Sequence, residues 1–350
     1  MFSISIGQRR LGLGEAVFII AEIGVNHNGD IGLAKRLIDA AAWSGVDAVK
    51  FQTFKAEQVA SAHAPKADYQ IHTTNPSESQ REMLRSLALP YEAHRELQDH
   101  CEKQGLYFLS TPFHEDGADL LMGLGVPLFK IGSGEITNFP FLKHVAGHNK
   151  PIVLSTGMSY LSEVDQALRC IRQVGNDQVI LLHCTSCYPA DPAEANLRAM
   201  QSMAEVFRVP VGYSDHSLGS EVVLGAVALG ACIIEKHFTM DKNLPGPDHQ
   251  ASSEPEEFKA MVEAVRTLEQ ALGGSEKSPA PSEIPMRSLV RRSLTALQVI
   301  PTGTCITKDM IGIRRPGTGI EPAWFPQILG RVTTRTVNAD EPITWDHILT

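Results

Sequence analysis

The sequence predicts an α/β protein, a (β/α)8 TIM barrel followed by a small β-rich domain. Three observations carry that prediction. Eight short apolar runs, each followed by a polar cluster and a helical stretch, lie between residues 17 and 239. Runs of this kind suit parallel strands buried on both faces. A stretch rich in Gly, Ser and Pro at 273–285 then breaks the alternation, as a linker does. With 350 residues the chain has room for one barrel of about 250 and a second unit.

In chain order, residues 2–13 read as a short hairpin or strand closing the barrel bottom. The barrel strands fall at 17–21, 47–51, 106–109, 127–131, 151–154, 179–182, 210–213 and 232–235. Segment 53–90, with Pro65, His72, Thr73, Thr74 and Pro76, exceeds an ordinary strand–helix connection and reads as an elaborated active-site loop. A second long connection spans 241–255. Phe258, Met261, Val262, Val265 and Leu268 then recur at helical spacing, predicting the last barrel helix over 256–272. The division is therefore 1–272 for the barrel, 273–287 for a linker and 288–350 for the small domain. In that domain 293–297, 332–337 and 342–345 read as β pieces, separated by turns at 301–303 and 315–319.

Composition is that of a globular protein, with 43% hydrophobic and 20% charged residues. A net charge of −9 argues against general nucleic-acid or anionic-membrane binding, since those surfaces need a basic excess. The longest apolar stretch, 222–234, is too short and glycine-broken to span a bilayer. The N-terminus lacks the order of a signal peptide, so a cytoplasmic location is expected. Cys184 and Cys187 have redox-motif spacing, but no second pair completes a metal site; buried reduced thiols are the expectation.

In a barrel of this class the active site gathers at the strand C-termini. Glu22 with Asn26, Lys50 with Gln52, Thr111, Lys130 with Glu135, Ser155, His183, His216 and His237 all fall there. His216 and His237 end neighbouring strands, and two imidazoles suit a divalent metal with open positions; two separate structural histidines are the alternative. Lys50, Lys130, Ser155 and Ser214, with Gly-Ser-Gly at 132–134 and Ser-Thr-Gly at 155–157, suit a phosphate or carboxylate. Each lysine could instead pair with Glu22, Glu135 or Glu235. Glu22 and Glu135 are candidate acid/base groups or structural ion partners.

Eight motifs in order then resemble the sialic acid (N-acetylneuraminate) synthase family. They are Ala-Glu-Ile-Gly-Val-Asn-His-Asn-Gly at 21–29, Val-Lys-Phe-Gln-Thr at 49–53, Ser-Thr-Pro-Phe at 110–113 and Lys-Ile-Gly-Ser-Gly-Glu at 130–135. Leu-Ser-Thr-Gly-Met at 154–158, Tyr-Ser-Asp-His at 213–216, Glu-Lys-His-Phe-Thr at 235–239 and Pro-Gly-Pro-Asp-His at 245–249 complete the set. Residues 314–319 resemble that family's antifreeze-like (SAF) domain, without implying ice binding. The resemblance implies condensation of phosphoenolpyruvate with an N-acetylated hexosamine, typically N-acetylmannosamine, giving a nine-carbon 2-keto acid and phosphate. It implies a divalent metal, usually Mn2+ with Mg2+ or Co2+ as alternatives, on His216 and His237. It assigns Lys50, Thr111, Lys130, Ser133, Ser155 and Ser214 to phosphoenolpyruvate, and Glu22, Gln52, Tyr188 and Asp248 to the sugar. Glu135 would position water or move protons. Arg315 would reach the N-acyl group from the second subunit of a homodimer whose small domain caps the partner's site.

Relatives with Asn in place of Ser186 leave that contact open. Legionaminic and pseudaminic acid synthases share the chemistry, and Ala-Pro-Lys-Ala-Asp-Tyr-Gln at 64–70 resembles the sialic and legionaminic branches more closely. Among other classes, a metal-free Schiff-base aldolase would use Lys130 or Lys50. A barrel metal hydrolase would want a paired His-x-His on strand one. A non-catalytic sugar-binding protein would not need acids, lysines and histidines from so many strand ends.

Overall fold

The computed structural model describes residues 3–349 and divides into two compact units at Gly273/Gly274. Phe2 of the predicted hairpin lies outside the described residues. The first unit opens with β1 (Ser3–Ile6) and β2 (Arg9–Gly12), an antiparallel hairpin. Eight parallel strands follow: β3 (Phe18–Gly24), β4 (Ala48–Thr53), β5 (Tyr107–Pro112), β6 (Phe129–Ile131), β7 (Ile152–Ser155), β8 (Val179–His183), β9 (Val211–Asp215) and β10 (Ile233–His237). They pair in the order β5-β4-β3-β10-β9-β8-β7-β6, so the first barrel strand bonds to the last, and β5 lies beside β6 to close the ring.

Helix α1 (Ile31–Trp43) follows β3, its first turn capped by the Asp30 carboxylate accepting from the Gly32 amide. The long segment after β4 folds as α2 (Ala56–Val59), α3 (Asp68–Thr73) and α4 (Gln80–Leu87), the last opened by a Ser79/Glu82 capping box. Then come α5 (Ala93–Lys103), α6 (Glu115–Leu124), α7 (Phe139–Gly147), α8 (Leu161–Arg172), α9 (Ala199–Phe207), α10 (Glu221–Ala228) and α11 (Pro255–Leu272). Among the described residues no helix is long and apolar enough to cross a membrane.

Strand alternation builds two cores. Ile19, Ala21, Val49, Phe51, Phe129 and Ile131 face the helices, whereas Phe18, Ile20, Ala48, Leu109, Val153, Ile180 and Ile233 pack inside the ring. Ile4, Ile6 and Leu11 of the hairpin join that inner cluster and seal the lower end.

In the second unit α12 (Ile284–Val290) precedes an antiparallel pair, β11 (Ser293–Ala296) and β12 (Ile311–Arg314), and α13 (Phe325–Ile328) follows. The unit packs around Leu294, Ile300, Ile306, Ile311, Ile320, Ile328 and Val337. Two predicted β pieces are corrected here. Residues 332–337 and 342–345 make only isolated bridges, such as Ile300 with Val337 and Thr295 with Pro342, while β12 takes the ladder position. A region of few residues is held by apolar contacts and single bridges more than by long strands.

Candidate active site

Two residues further along the inward-facing alternation, the apolar interior gives way to a charged one. Above Ile20 stands Glu22, above Ala48 stands Lys50, above Leu109 stands Thr111, and above Ile233 stand Glu235 and His237. These residues line a cavity of about 340 Å³ at the C-terminal ends of the strands. The cavity gathers Glu22, Lys50, Gln52, Thr111, Lys130, Ser133, Ser155, Tyr188, Ser214, His216, His237 and Asp248, together with Ser186. Glu135 is not among its lining residues. The Glu135 carboxylate instead accepts from Asn138 at 2.7 Å on the turn after β6. Arg315 is exposed within the second unit.

The floor of the cavity is an ion network. Lys50 Nζ lies 2.7 Å from Glu22 Oε2 and 3.8 Å from Glu235 Oε2, and it donates to Thr111 Oγ1 at 2.9 Å. Lys130 Nζ lies 3.1 Å from Glu235 Oε1, which also accepts from Ser214 Oγ at 3.0 Å. Burial opposes ionisation of Glu235, but Lys130 and Lys50 outweigh it and hold its carboxyl down at about 2. Glu22 is shifted up, chiefly by burial and further by the charge of Glu235, against the pull of Lys50. Burial alone would lower Lys50, yet Glu22 and Glu235 raise it and keep it an ammonium. A network of two ammoniums, one firm carboxylate and one reluctant carboxylate leans positive. It is therefore suited to an anion.

Beside the lysines, Ser133 Oγ accepts from the Gly157 amide at 2.9 Å and lies 3.3 Å from Cys184 Sγ. A side-chain carbon at Gly157 would run into Ser186 Oγ and Ser133 Oγ, so glycine is what lets the three strand-end loops close together. Cys184 is buried but Cys187 is exposed, which corrects the expectation that both thiols are buried.

Across the cavity the His216 and His237 rings have centroids 5.5 Å apart, and the Tyr188 ring lies 4.2 Å from His216 and 5.5 Å from His237. His216 Nδ1 is 2.7 Å from the Thr185 carbonyl, which makes it the protonated nitrogen and leaves Nε2 with a free lone pair. His237 Nδ1 is buried without a hydrogen-bond partner. Burial lowers both imidazoles, keeping them neutral, and the proximity of His216 lowers His237 further. Neutral nitrogens with one oriented ring and one orphaned buried atom are the donor set a divalent cation needs. Beneath them Lys236 pairs with Asp215 in full burial and donates to the Ser217 carbonyl, tying β10 to the loop that follows β9.

The segment 53–90, expected as an active-site loop, does reach the cavity, and it brings an apolar outer wall that its polar residues did not announce. Tyr69 from α3 packs on Tyr188 at 5.4 Å, and Phe54, Met83, Leu84, Leu87 and Phe113 join Val25 in an apolar flank. The signal was present as Met83, Leu84 and Leu87, one face of a helix inside what read as a loop. Asp248 closes the same side, its carboxyl pushed up to about 7 by burial first and Glu22 second. Not every strand-end polar residue serves the cavity. Asn26 donates to Phe238 O and Ser252 Oγ, and His183 Nε2 meets Ala195 O, so both tie loops together.

Residues 37–277 match the NeuB family and residues 291–349 match the SAF domain. The chain is 49% identical to N,N'-diacetyllegionaminic acid synthase of Legionella pneumophila, over 95% of this chain and 94% of that protein. It is 36% identical to human N-acetylneuraminate-9-phosphate synthase, over 93% and 91% of the two chains. Among solved structures it resembles the N-acetylneuraminic acid synthetase of Leptospira borgpetersenii, in complex with citrate, with TM-score 0.72 and 33% identity. That match covers 81% of this chain and 95% of the other.

Proposed function

The chain belongs to the NeuB family, a family of nonulosonic acid synthases, and from that premise we propose that it condenses phosphoenolpyruvate with a 2,4-diacetamido-trideoxyhexose to form a legionaminic acid. The observation that carries the reading is one cavity with a positive lysine network on one side and two neutral histidines on the other. This revises the first expectation, N-acetylmannosamine as acceptor. The 49% relative makes a diacetyllegionaminic acid, and the human relative acting in the N-acetylneuraminate series stands at 36%. The apolar flank of Val25, Phe54, Met83, Leu84, Leu87 and Phe113 also suits a sugar carrying a deoxy methyl and two acetyl methyls.

In this reading Lys50, Lys130, Thr111, Ser133, Ser155 and Ser214 hold the phosphate and carboxylate of phosphoenolpyruvate. Glu22, Gln52, Tyr188 and Asp248 hold the open-chain sugar so that its aldehyde carbon faces C3 of the enol. Attack by C3 forms the new C–C bond and leaves positive charge at C2, which Glu22 and Glu235 stabilise across the cavity floor. Water adds at C2 and gives up a proton that balances the one taken by the aldehyde oxygen as it becomes a hydroxyl. The resulting tetrahedral centre passes its hydroxyl proton to the departing phosphate as C–O cleavage leaves the ketone. His216 and His237 would hold a divalent cation such as Mn2+, which when bound supplies Lewis-acid polarisation of the aldehyde oxygen. The Schiff-base alternative fares worse, because Lys50 and Lys130 are both ion-paired ammoniums and a nucleophilic amine must shed that proton. We extend the proposal to a cytoplasmic homodimer whose SAF domain caps the partner's cavity with Arg315, exposed in its glycine-flanked turn.

The test is phosphate release from phosphoenolpyruvate over a panel of open-chain hexosamines, with and without chelator. The diacetamido-trideoxy sugar should give the highest kcat/KM, and chelation should abolish turnover. A clear preference for N-acetylmannosamine would return the product to the sialic series. A borohydride-trapped pyruvyl-lysine would replace the mechanism.

A further inference from the structure

Outside the barrel, on its helical face, two imidazoles and a carboxylate converge. Asp119 projects from α6, and His144 and His148 stand four residues apart at the C-terminal end of α7, on one helical face. His144 Nε2 is 2.7 Å and His148 Nε2 3.0 Å from the same Asp119 Oδ1, and the three donor atoms lie within 4.8 Å of one another. None of the three lines the active-site cavity.

The arrangement is more than a hydrogen-bonded pair. His148 is fixed by stacking on Phe129 at 5.5 Å and by the edge of His144 at 5.2 Å. Its Nε2 is shielded from water, close to Asp119, yet makes no hydrogen bond of proper geometry. A shielded nitrogen in that condition costs free energy, and a cation on its lone pair would remove the cost. Among the described residues the only ion pairs of Asp119 are with these two imidazoles. The neighbouring His114–Asp116 pair differs, because Lys55 already neutralises that carboxylate. The C-terminal end of α7 also carries the negative end of the helix dipole, which favours a cation there.

We propose that Asp119, His144 and His148 form a second, structural site for a borderline divalent metal of the Zn2+ type, clipping α6 to α7. Two imidazole nitrogens and one carboxylate oxygen match Zn2+, Co2+ or Ni2+ and are a poor set for Mg2+ or Ca2+. Donors each about 2.0–2.1 Å from zinc in a tetrahedron lie roughly 3.3 Å apart, so Asp119 Oδ1 would draw back by about 0.3 Å from His148 Nε2 and about 0.6 Å from His144 Nε2. Its side chain is 54% exposed and free to do so, and water would fill the fourth position.

Equilibrium dialysis of the full chain against Zn2+, with thermal unfolding followed in parallel, tests the site. Wild-type protein should bind one more equivalent than His144→Ala or Asp119→Asn, and the zinc-dependent rise in Tm should be lost in both. His216→Ala should retain that equivalent, which separates this site from the cavity. Synthase activity of the Asp119→Asn chain under saturating Mn2+ should stay at the wild-type level. Equal zinc stoichiometry and an equal Tm response in wild-type and both helix variants would overturn the proposal.

Discussion

The lower and upper halves of the barrel interior are made by the same strands, two residues apart, yet they do opposite work. Below, Phe18, Ile20, Leu109, Ile180 and Ile233 fill the ring with the hairpin residues Ile4, Ile6 and Leu11. Above, the same inward faces carry Glu22, Thr111, Glu235 and His237 around an open cavity. The lower layer draws stability from apolar burial. In the upper layer, desolvating charges offsets much of what their pairing returns. This fold therefore separates stability from chemistry along the barrel axis, and substitutions at five positions test that separation.

The largest effect should come from the top. His237→Ala should lower kcat on the order of 10³-fold while the unfolding midpoint changes little, measured by steady-state kinetics beside urea unfolding. A loss of fold in that variant would erase the distinction between the layers. Glu235→Ala should damage both properties, since Lys130 and Lys50 would be left buried without their shared partner. A stability loss of about 3–5 kcal/mol and a raised KM for phosphoenolpyruvate are expected. Glu235→Gln, which can keep the Ser214 contact, should recover part of the stability and little of the activity.

At the bottom the pattern should invert. Ile180→Ala, in the inner cluster, should cost about 2–5 kcal/mol of stability and leave kcat near wild type below the transition. A tenfold fall in kcat there would show that the layers are mechanically coupled. On the outer wall, Leu84→Ser should leave turnover of a hydroxylated hexosamine nearly unchanged. It should lower kcat/KM for the diacetamido-trideoxy sugar by about 10-fold, the range of one apolar contact.

The smallest effect is a pH dependence at Asp248. Its carboxyl is held at about 7 in the folded chain against an ordinary value of 3.8. Between those values the folded chain keeps a proton that the unfolded chain has lost, so this group's contribution to stability declines as pH rises through that window. Asp248→Asn should flatten the decline in urea midpoint between pH 5 and pH 8. An unchanged slope would show that the carboxyl is already ionised in the folded protein.

Much of this was legible in the chain. Short apolar runs alternating with helical stretches suit strands covered on both sides, and their polar ends then have an address before any side chain is placed. That logic locates Lys50, Lys130, Ser155, Ser214, His216 and His237 correctly, because period-two alternation within a strand is local. It also draws in His183 and Asn26, which share the address but turn to loop carbonyls, since a rotamer is chosen by neighbours that sequence spacing does not reveal. Glu135, one turn beyond its strand, accepts from Asn138 and is not among the residues lining the cavity.

The barrel, the break near Gly273 and the identity of the strand-end groups are all written in residue order, because each follows from the pattern along one element. Tertiary structure alone decided which charges meet. Glu235 becomes the hub for Lys50 and Lys130, Asp215 and Lys236 become a buried tie, and α4 presents Met83, Leu84 and Leu87 to the cavity. It also brought Asp119 to His144 and His148 across two helices. These are long-range pairings whose energy depends on distance and desolvation, and neither quantity exists until the chain has closed its ring.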